Sequence, residues 1–160
     1  LNRSLLTVLI FVGVIIVWIA VRLVFPEAPT IFAGTQPDNL GISQEKLALC
    51  PSSPNCVSSQ SVDAEHYIKP LAYQGSAKSA IASLQDIING QERTKIITAN
   101  DQYIYAQFSS RWMGFVDDVE FAVNEAKGVI DVRSASRLGE SDLGVNRQRI
   151  EQIRQLMIDN

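Results

Sequence analysis

The sequence predicts a two-layer α+β domain, in which an antiparallel meander sheet carries two helices on one face and leaves its other face open. Two observations support this fold class: four strand-like segments follow one another with short connections, and helical patterns flank them. The predicted element order is therefore strand, helix, four strands, helix. We place this domain at residues 61–160, after a transmembrane helix at 1–25 and a proline-rich linker at 26–60.

The first strand and the first helix lie at the start of this domain. Residues 67–73 are predicted as a short strand, which Pro70 confines to an edge or a bulge because proline cannot donate to a strand ladder. Ser76 is a suitable N-cap for the following helix, whose apolar residues recur at helical spacing up to Ile88. Gly90 ends that helix as a C-cap.

Alternating apolar residues predict the meander. Segments 95–99 and 103–108 flank an Asn-Asp pair that suits a tight hairpin turn. Apolar and polar residues then alternate over 119–124 and again over 130–133, as they do in strands with one buried face. Residues 145–158 place their apolar side chains on one helical face, which predicts an amphipathic final helix.

An apolar run near the N-terminus predicts a single-pass signal anchor. From Leu5 to Phe25, 18 of 21 residues are apolar, and a helix of that length spans roughly 31 Å, enough to cross a hydrocarbon core of about 30 Å. We expect Arg22 to snorkel to the headgroups, with Trp18 near the same interface. A cleavable signal peptide is the alternative, although its apolar region is usually about 7 to 15 residues. The positive N-terminus favours a domain outside the cytoplasm.

Composition and charge argue against a nucleic-acid-binding protein. The chain of 160 residues is 46% hydrophobic with a net charge of −3, and the apolar run carries much of that hydrophobicity. Without Arg3 and Arg22, which lie in the helix, 12 basic and 17 acidic residues remain, with a net charge of −5. This balance argues against nucleic acid as a partner, and the remaining residues suffice for a hydrophobic core.

The only two cysteines, Cys50 and Cys56, stand six positions apart among prolines. Because these prolines bend the chain, the pair is well placed to close a disulfide ring, worth roughly 2 to 3 kcal/mol in an oxidising compartment. Two alternatives stay open: a redox dithiol, which usually has two residues between its cysteines, and half of a metal site. A zinc site needs two more ligands, and the chain offers one histidine, His66. We expect neither a metal nor a cofactor.

Charged side chains concentrate in segments 114–121 and 133–147. A four-residue turn between the two strands places Glu120 opposite Arg133 as a cross-strand ion pair. The same register brings further polar residues to one end of the hairpin, just before the final helix. The candidate ligand-binding residues are Asp117, Asp118, Glu120, Arg133, Ser134, Ser136, Arg137 and Arg147.

This constellation has three interpretations. It is an ion-pair network that fixes the strand ends, since partly buried charges need partners. Alternatively, the arginines and serines of 133–137 form, with free amides of the final helix, a pocket for a carboxylate or a phosphate. In the third interpretation a hydrolase-type enzyme uses His66 with a carboxylate, although adjacent acids on a strand point to opposite faces and make a poor acid/base pair. The candidate carboxylates are Asp117, Asp118 and Glu120.

Three separated motifs resemble one known family. They are Cys50-Pro-Ser-Ser-Pro-Asn-Cys-Val-Ser-Ser59, the segment 114–121, and the Arg- and Ser-rich segment that ends at Arg149. Together they resemble the family called domain of unknown function 1499, over roughly residues 48–158. The resemblance implies proteins of bacterial and photosynthetic lineages that are often membrane-anchored or exported, and it implies no activity.

The sequence thus predicts a membrane-tethered domain on the periplasmic or lumenal side. The expected function is a non-enzymatic accessory or binding module for a partner protein or a small anion, with the hydrolase as the alternative. The expected partners are the membrane, through residues 5–25, and one of those two ligand classes. The loop 112–115 is a candidate membrane or partner contact, although aromatic residues at a hairpin end are as often core side chains.

Overall fold

The computed structural model describes residues 2–159 and confirms the α+β class. Six strands form one antiparallel sheet in the order β1-β6-β5-β4-β3, and β2 pairs with the other half of β6. The elements are α1 Arg3–Val24, β1 Cys56–Ser58, β2 Leu71–Ala72, α2 Ala77–Asn89, β3 Thr94–Ala99, β4 Tyr103–Ser109, β5 Val116–Asn124, β6 Val129–Ser136 and α3 Val145–Asp159.

The strand order of the meander β3 to β6 and the register of β5 with β6 match the sequence prediction. Glu120 pairs with Arg133 across β5 and β6, as the four-residue turn requires. The first predicted strand is shorter than expected: only Leu71–Ala72 pairs with β6, because the residues before it include Pro70. β1 was not predicted, since three buried residues at the end of a proline-rich segment show no alternation.

Helices α2 and α3 pack on one face of the sheet and enclose the core. Ser76 caps α2 by accepting a hydrogen bond from the Ser79 amide, and Gly90 follows its last residue, as predicted. Alternate residues of β4, β5 and β6 meet the two helices. The large side chains of this core that are almost fully buried include Leu71, Leu84, Ile88, Ile104, Phe121, Ile130, Ile150 and Ile153.

The other face of the sheet is not open, so that expectation is wrong. Residues of the 26–49 segment lie on it, and the segment therefore does not extend away as a spacer. The Gly41 amide donates to Glu120 Oε1 at 2.7 Å, and Gln107 reaches Gln36 at 3.3 Å. This covering segment brings the end of α1 back to the sheet.

Helix α1 is the one helix among the described residues that is long and apolar enough to cross a membrane. Its 22 residues are exposed except near the C-terminal end, where Arg22 is only 3% exposed. The guanidinium donates to the carbonyl oxygens of Arg111, Ser110 and Ala28 at 3.0 to 3.2 Å. Arg22 therefore binds protein carbonyls, and the expectation that it snorkels to the headgroups is wrong.

Candidate functional site

Polar side chains line the sheet face that lies away from the helices. They occupy every second position of the three central strands, β4, β5 and β6. Their side chains therefore project from the same face of the sheet. This polar face contains Tyr103, Tyr105 and Gln107 from β4, Asp118 and Glu120 from β5, and Asp131 and Arg133 from β6.

Asp118 is the centre of the first group on the polar face and is 1% exposed. Arg137, just after β6, binds both of its carboxylate oxygens through Nε and Nη2 at 2.8 and 2.7 Å. The Tyr105 hydroxyl donates to Asp118 Oδ1 at 2.7 Å, and Gln107 donates to that hydroxyl. A bidentate guanidinium pair of this kind is a strong, directional interaction.

Glu120 forms the second group and is fully buried. Its Oε1 accepts hydrogen bonds from the Tyr103 hydroxyl and the Gly41 amide, both at 2.7 Å. Arg133 lies 3.4 Å from Oε2, which confirms the predicted cross-strand ion pair. The Arg133 Nε is buried and has no hydrogen-bond partner among the described residues. Glu120 is thus the main partner of a buried cation.

Burial raises the pKa of both tyrosines of the polar face. It raises the pKa of Tyr105 to about 12, reinforced by the hydrogen bond to the Asp118 carboxylate. Burial and the hydrogen bond to Glu120 raise the pKa of Tyr103 further. Both phenols therefore stay protonated at neutral pH and act as donors, which leaves neither of them available as a base.

Asp117 points to the helix face, as its alternation with Asp118 predicts. There it accepts a hydrogen bond from Arg149 of α3. The guanidinium of Arg149 also stands over the Phe108 ring, 4.7 Å from its centroid. Adjacent acids thus serve two different ion pairs on the two sides of the sheet, and neither is free.

The two serines of the predicted pocket also lie on the helix face. Ser134 and Ser136 are both hydrogen-bonded to the buried Asn146 side chain. Arg133 lies on the opposite, polar face of the sheet, and Arg137 is bound there to Asp118. The single pocket expected from these four residues therefore does not form.

Three amides at the start of α3, those of Gly144, Val145 and Asn146, are already hydrogen-bonded to Asp142 and are not free for such a pocket. The Asp142 side chain accepts hydrogen bonds from the amides of Gly144 and Asn146. Arg147, the last of the predicted site residues, turns away and donates to the carbonyls of Tyr67 and Glu65, both at 2.8 Å. The helix start is capped by protein.

His66 is 7% exposed and is held by two local partners. Its Nδ1 lies 2.7 Å from Asp63 Oδ1 and its Nε2 lies 3.2 Å from the Ser53 carbonyl. Burial alone lowers the pKa of His66, but the hydrogen bonds and the Asp63 charge outweigh it and raise that pKa above its ordinary value. Both ring nitrogens are thus engaged outside the polar face.

This contact makes stability depend on pH. Because the pKa of His66 is higher in the folded state than its ordinary value of 6.5, the protonated His66 stabilises the fold. This stabilisation is complete below pH 6.5 and is lost as the pH rises through the pKa of the folded state. The pKa of Asp63 is lowered, mainly by its hydrogen bonds with His66, so its contribution is present above 3.8 and is lost at lower pH. We expect the stability advantage of the native chain over His66→Gln to be largest between these values and to shrink at higher pH.

Urea unfolding at a series of pH values measures that advantage. Asp63→Asn is the matched variant, because it removes the carboxylate and keeps the histidine. An advantage over His66→Gln that stays constant from about pH 5 to pH 9 contradicts the assigned ion pair.

Cys50 and Cys56 form the predicted disulfide, which closes a ring that ends at the first residue of β1. Asn55, inside this ring, accepts hydrogen bonds at its carbonyl from the Ser136 amide and the Asn146 side chain. The ring therefore joins β1 to the end of β6 and to α3. Among residues 2–159, no three histidine, cysteine or acidic side chains cluster so that they could hold a metal ion.

A cleft of about 370 Å³ lies between the covering segment and the β3–β4 edge of the sheet. Three of its lining residues are cations, Arg93, Lys95 and Arg137, and one is an anion, Glu27. Arg93 has a left-handed backbone with a φ of 54°, and its Nε is buried without a partner among the described residues. Of the candidate ligand-binding residues predicted from the sequence, Arg137 alone lines this cleft.

A family model described as "Protein of unknown function (DUF1499)" matches residues 46–157, well over half of the chain. The chain belongs to this family. The DUF1499 domain includes the whole sheet, α2, most of α3 and the disulfide ring, while α1 and most of the covering segment precede it. Searches of curated proteins and of solved structures find no match.

Several residues of the site escaped the sequence analysis. Tyr103 and Tyr105 alternate with apolar residues, a signal that places them together on one strand face. Arg149 lies within the recognised motif but was not assigned a partner. Arg93 carries no sequence signal, because neither its backbone conformation nor its place at the cleft follows from its neighbours.

Proposed function

We propose that this DUF1499 protein is a membrane-tethered, extracytoplasmic binding module for a small anion, held in the cleft between the covering segment and the sheet. The observation that carries the proposal is the cation-rich lining of that cleft, beside a network in which the acids already have partners. Guanidinium groups suit carboxylates and phosphates because they donate two parallel hydrogen bonds.

Two features support the extracytoplasmic tether. The apolar α1 has the length of a membrane span, with a mean hydropathy of 2.9 over its best window. The Cys50–Cys56 disulfide fits an oxidising compartment, because cytosolic thiols are kept reduced. A periplasm or a lumen satisfies both features.

Arg93 is the residue best suited to receive the anion. Its left-handed backbone is unusual for a residue with a large side chain, and such outliers point to functional constraint. One of its terminal nitrogens binds Glu92, while Nε is left without a partner. Lys95 is exposed on the same strand edge and adds positive charge at the mouth of the cleft.

Inorganic phosphate is the probe that tests the cleft. We expect phosphate to stabilise the intact protein in zwitterionic nanodiscs, by up to roughly 2.7 kcal/mol at a concentration a hundredfold above its Kd. Arg93→Gln/Lys95→Gln should lose this stabilisation, as measured by thermal unfolding. The matched control, Lys46→Gln/Lys127→Gln, removes the same charge at two exposed lysines away from the cleft and should keep it.

Two results contradict the anion site. The first is no phosphate effect on the native chain, and the second is an equal effect on both double variants, which indicates general screening of charge. Capture of one specific protein by crosslinking in the native membrane, without any phosphate effect, favours a protein partner instead.

The geometry gives the hydrolase alternative no support. His66 is hydrogen-bonded to Asp63 and to Ser53, and none of the three proposed carboxylates is among its hydrogen-bond partners. Each of those carboxylates is held by an arginine, so none is placed to act with a histidine as a general acid or base. The three ion pairs are Asp117–Arg149, Asp118–Arg137 and Glu120–Arg133.

A further inference from the structure

The loop between β4 and β5, residues 110–115, carries large apolar side chains on its surface. Trp112, Met113 and Phe115 are 48%, 37% and 38% exposed, so they do not plug the core. Arg111 is exposed beside them, with its guanidinium 5.2 Å from the Trp112 ring centroid. Aromatic residues flanked by a cation are typical of segments at a membrane interface.

The carbonyl groups of residues 110–113 in this loop are already hydrogen-bonded by protein. The carbonyl of Trp112 accepts a bond from the Trp18 indole at 3.1 Å, and that of Met113 accepts one from the Thr30 hydroxyl at 2.7 Å. Arg22 binds the two preceding carbonyls. Polar backbone groups that lack partners are costly in lipid, and these four carbonyls have theirs.

Gly114 makes this contact between loop and covering segment possible. Its φ is +72°, and a Cβ at this position would lie 2.7 Å from a Thr30 side-chain carbon. Phe32 then packs between the Trp18 and Phe115 rings, at centroid distances of 6.2 and 5.5 Å. Side chains of α1 and of the covering segment thus hold the loop beside the helix.

The position of Trp18 along α1 sets the depth of the loop. Trp18 lies six residues before Val24, the last residue of the helix, which is about 9 Å along its axis. If α1 spans a bilayer, the Trp112 carbonyl lies at that same level. Interfacial segments bury their apolar side chains about 5–10 Å into the boundary between headgroups and acyl chains.

We propose that the 110–115 loop inserts into the outer leaflet of the bilayer that α1 crosses, with Trp112, Met113 and Phe115 among the acyl chains and Arg111 at the phosphates. This inference rests on the proposed tether, because only a spanning α1 brings lipid to the loop. The domain then sits on the membrane through two contacts, the helix and the loop.

The two tryptophans of the chain allow both claims to be tested separately. In Trp18→Phe the remaining indole reports the loop, and in Trp112→Phe it reports the helix. The full chain is placed in vesicles of phosphatidylcholine, with and without acyl chains brominated near the glycerol, and aqueous iodide is the opposing quencher. We expect brominated lipid to quench both indoles and iodide to quench neither.

A control indole at the far end of the sheet should show the reverse. Lys127 is exposed in the β5–β6 turn, about 26 Å along β5 from the loop. Lys127→Trp in the Trp18→Phe/Trp112→Phe background should be quenched by iodide and not by lipid. The unaltered chain, which keeps the Trp18–Trp112 hydrogen bond, should show no iodide-accessible fraction.

The outcomes separate the two proposals. Lipid quenching of Trp18 together with iodide quenching of Trp112, in the variant and in the unaltered chain, overturns the inserted loop and leaves the tether. Absence of lipid quenching at Trp18 overturns the tether and the inserted loop together.

Discussion

Glu120→Ala should destabilise the domain by about 3–5 kcal/mol, because it removes the main partner of a buried cation. The Arg133 side chain is 6% exposed and its Nε already lacks a partner, so it cannot regain solvent where it stands. The substitution also leaves the Tyr103 hydroxyl and the Gly41 amide without their acceptor. Urea unfolding of the native chain and the variant measures the difference in the free energy of unfolding.

Two companion variants make this result specific. Adding Arg133→Met to Glu120→Ala removes both charges and should recover most of the lost stability. Asp101→Ala breaks an exposed ion pair with Lys78, whose side chains are 72% and 77% exposed, and should change stability by less than about 1 kcal/mol. A loss below about 1 kcal/mol for Glu120→Ala itself would mean that the buried pair does not hold the polar face together.

Arg22→Gln should release the β4–β5 loop from α1. Arg22 makes charge-assisted hydrogen bonds to the carbonyls of Ser110 and Arg111, and such bonds are worth about 1.5–3 kcal/mol each. If the substitution reduces the stability of the closed loop by only 1.4 kcal/mol, the population of the open loop rises about tenfold. Hydrogen exchange at the Gly114 and Phe115 amides, which are hydrogen-bonded to Ser110, should accelerate by at least that factor.

Arg3→Gln is the matched control for this experiment. It makes the same change at the other end of α1, where Arg3 is exposed and far along the helix from the domain. Exchange of the loop amides should not change in Arg3→Gln. Equal exchange in Arg22→Gln and in the native chain would refute the role given to Arg22.

The fold was predictable where local signals decide it. The β5–β6 register follows from one short turn, so Glu120 and Arg133 could be paired from the sequence alone. Alternation also separated Asp117 from Asp118 correctly. Both inferences need only the geometry of one hairpin.

The contacts that lay beyond prediction depend on distant segments. Tyr105 meets Asp118 only because β4 and β5 are aligned across a six-residue loop, whose length does not fix a register. Arg22 has two ways to satisfy its charge, lipid headgroups or protein carbonyls, and the sequence does not choose between them. The covering segment has no periodicity, and contacts such as Gly41 to Glu120 place it on the sheet.

Photo-crosslinking from position 18 tests most directly whether the domain packs against the end of helix α1. A benzophenone amino acid in place of Trp18, in the full chain in phosphatidylcholine vesicles, should crosslink to the tryptic peptide 112–127, since the Trp18 indole lies 3.1 Å from the Trp112 carbonyl. The same group at Ile10, about 12 Å further along the helix, should reach lipid only. Crosslinks from position 18 to lipid alone, in a protein that retains its fold, would show that the domain stands away from the helix.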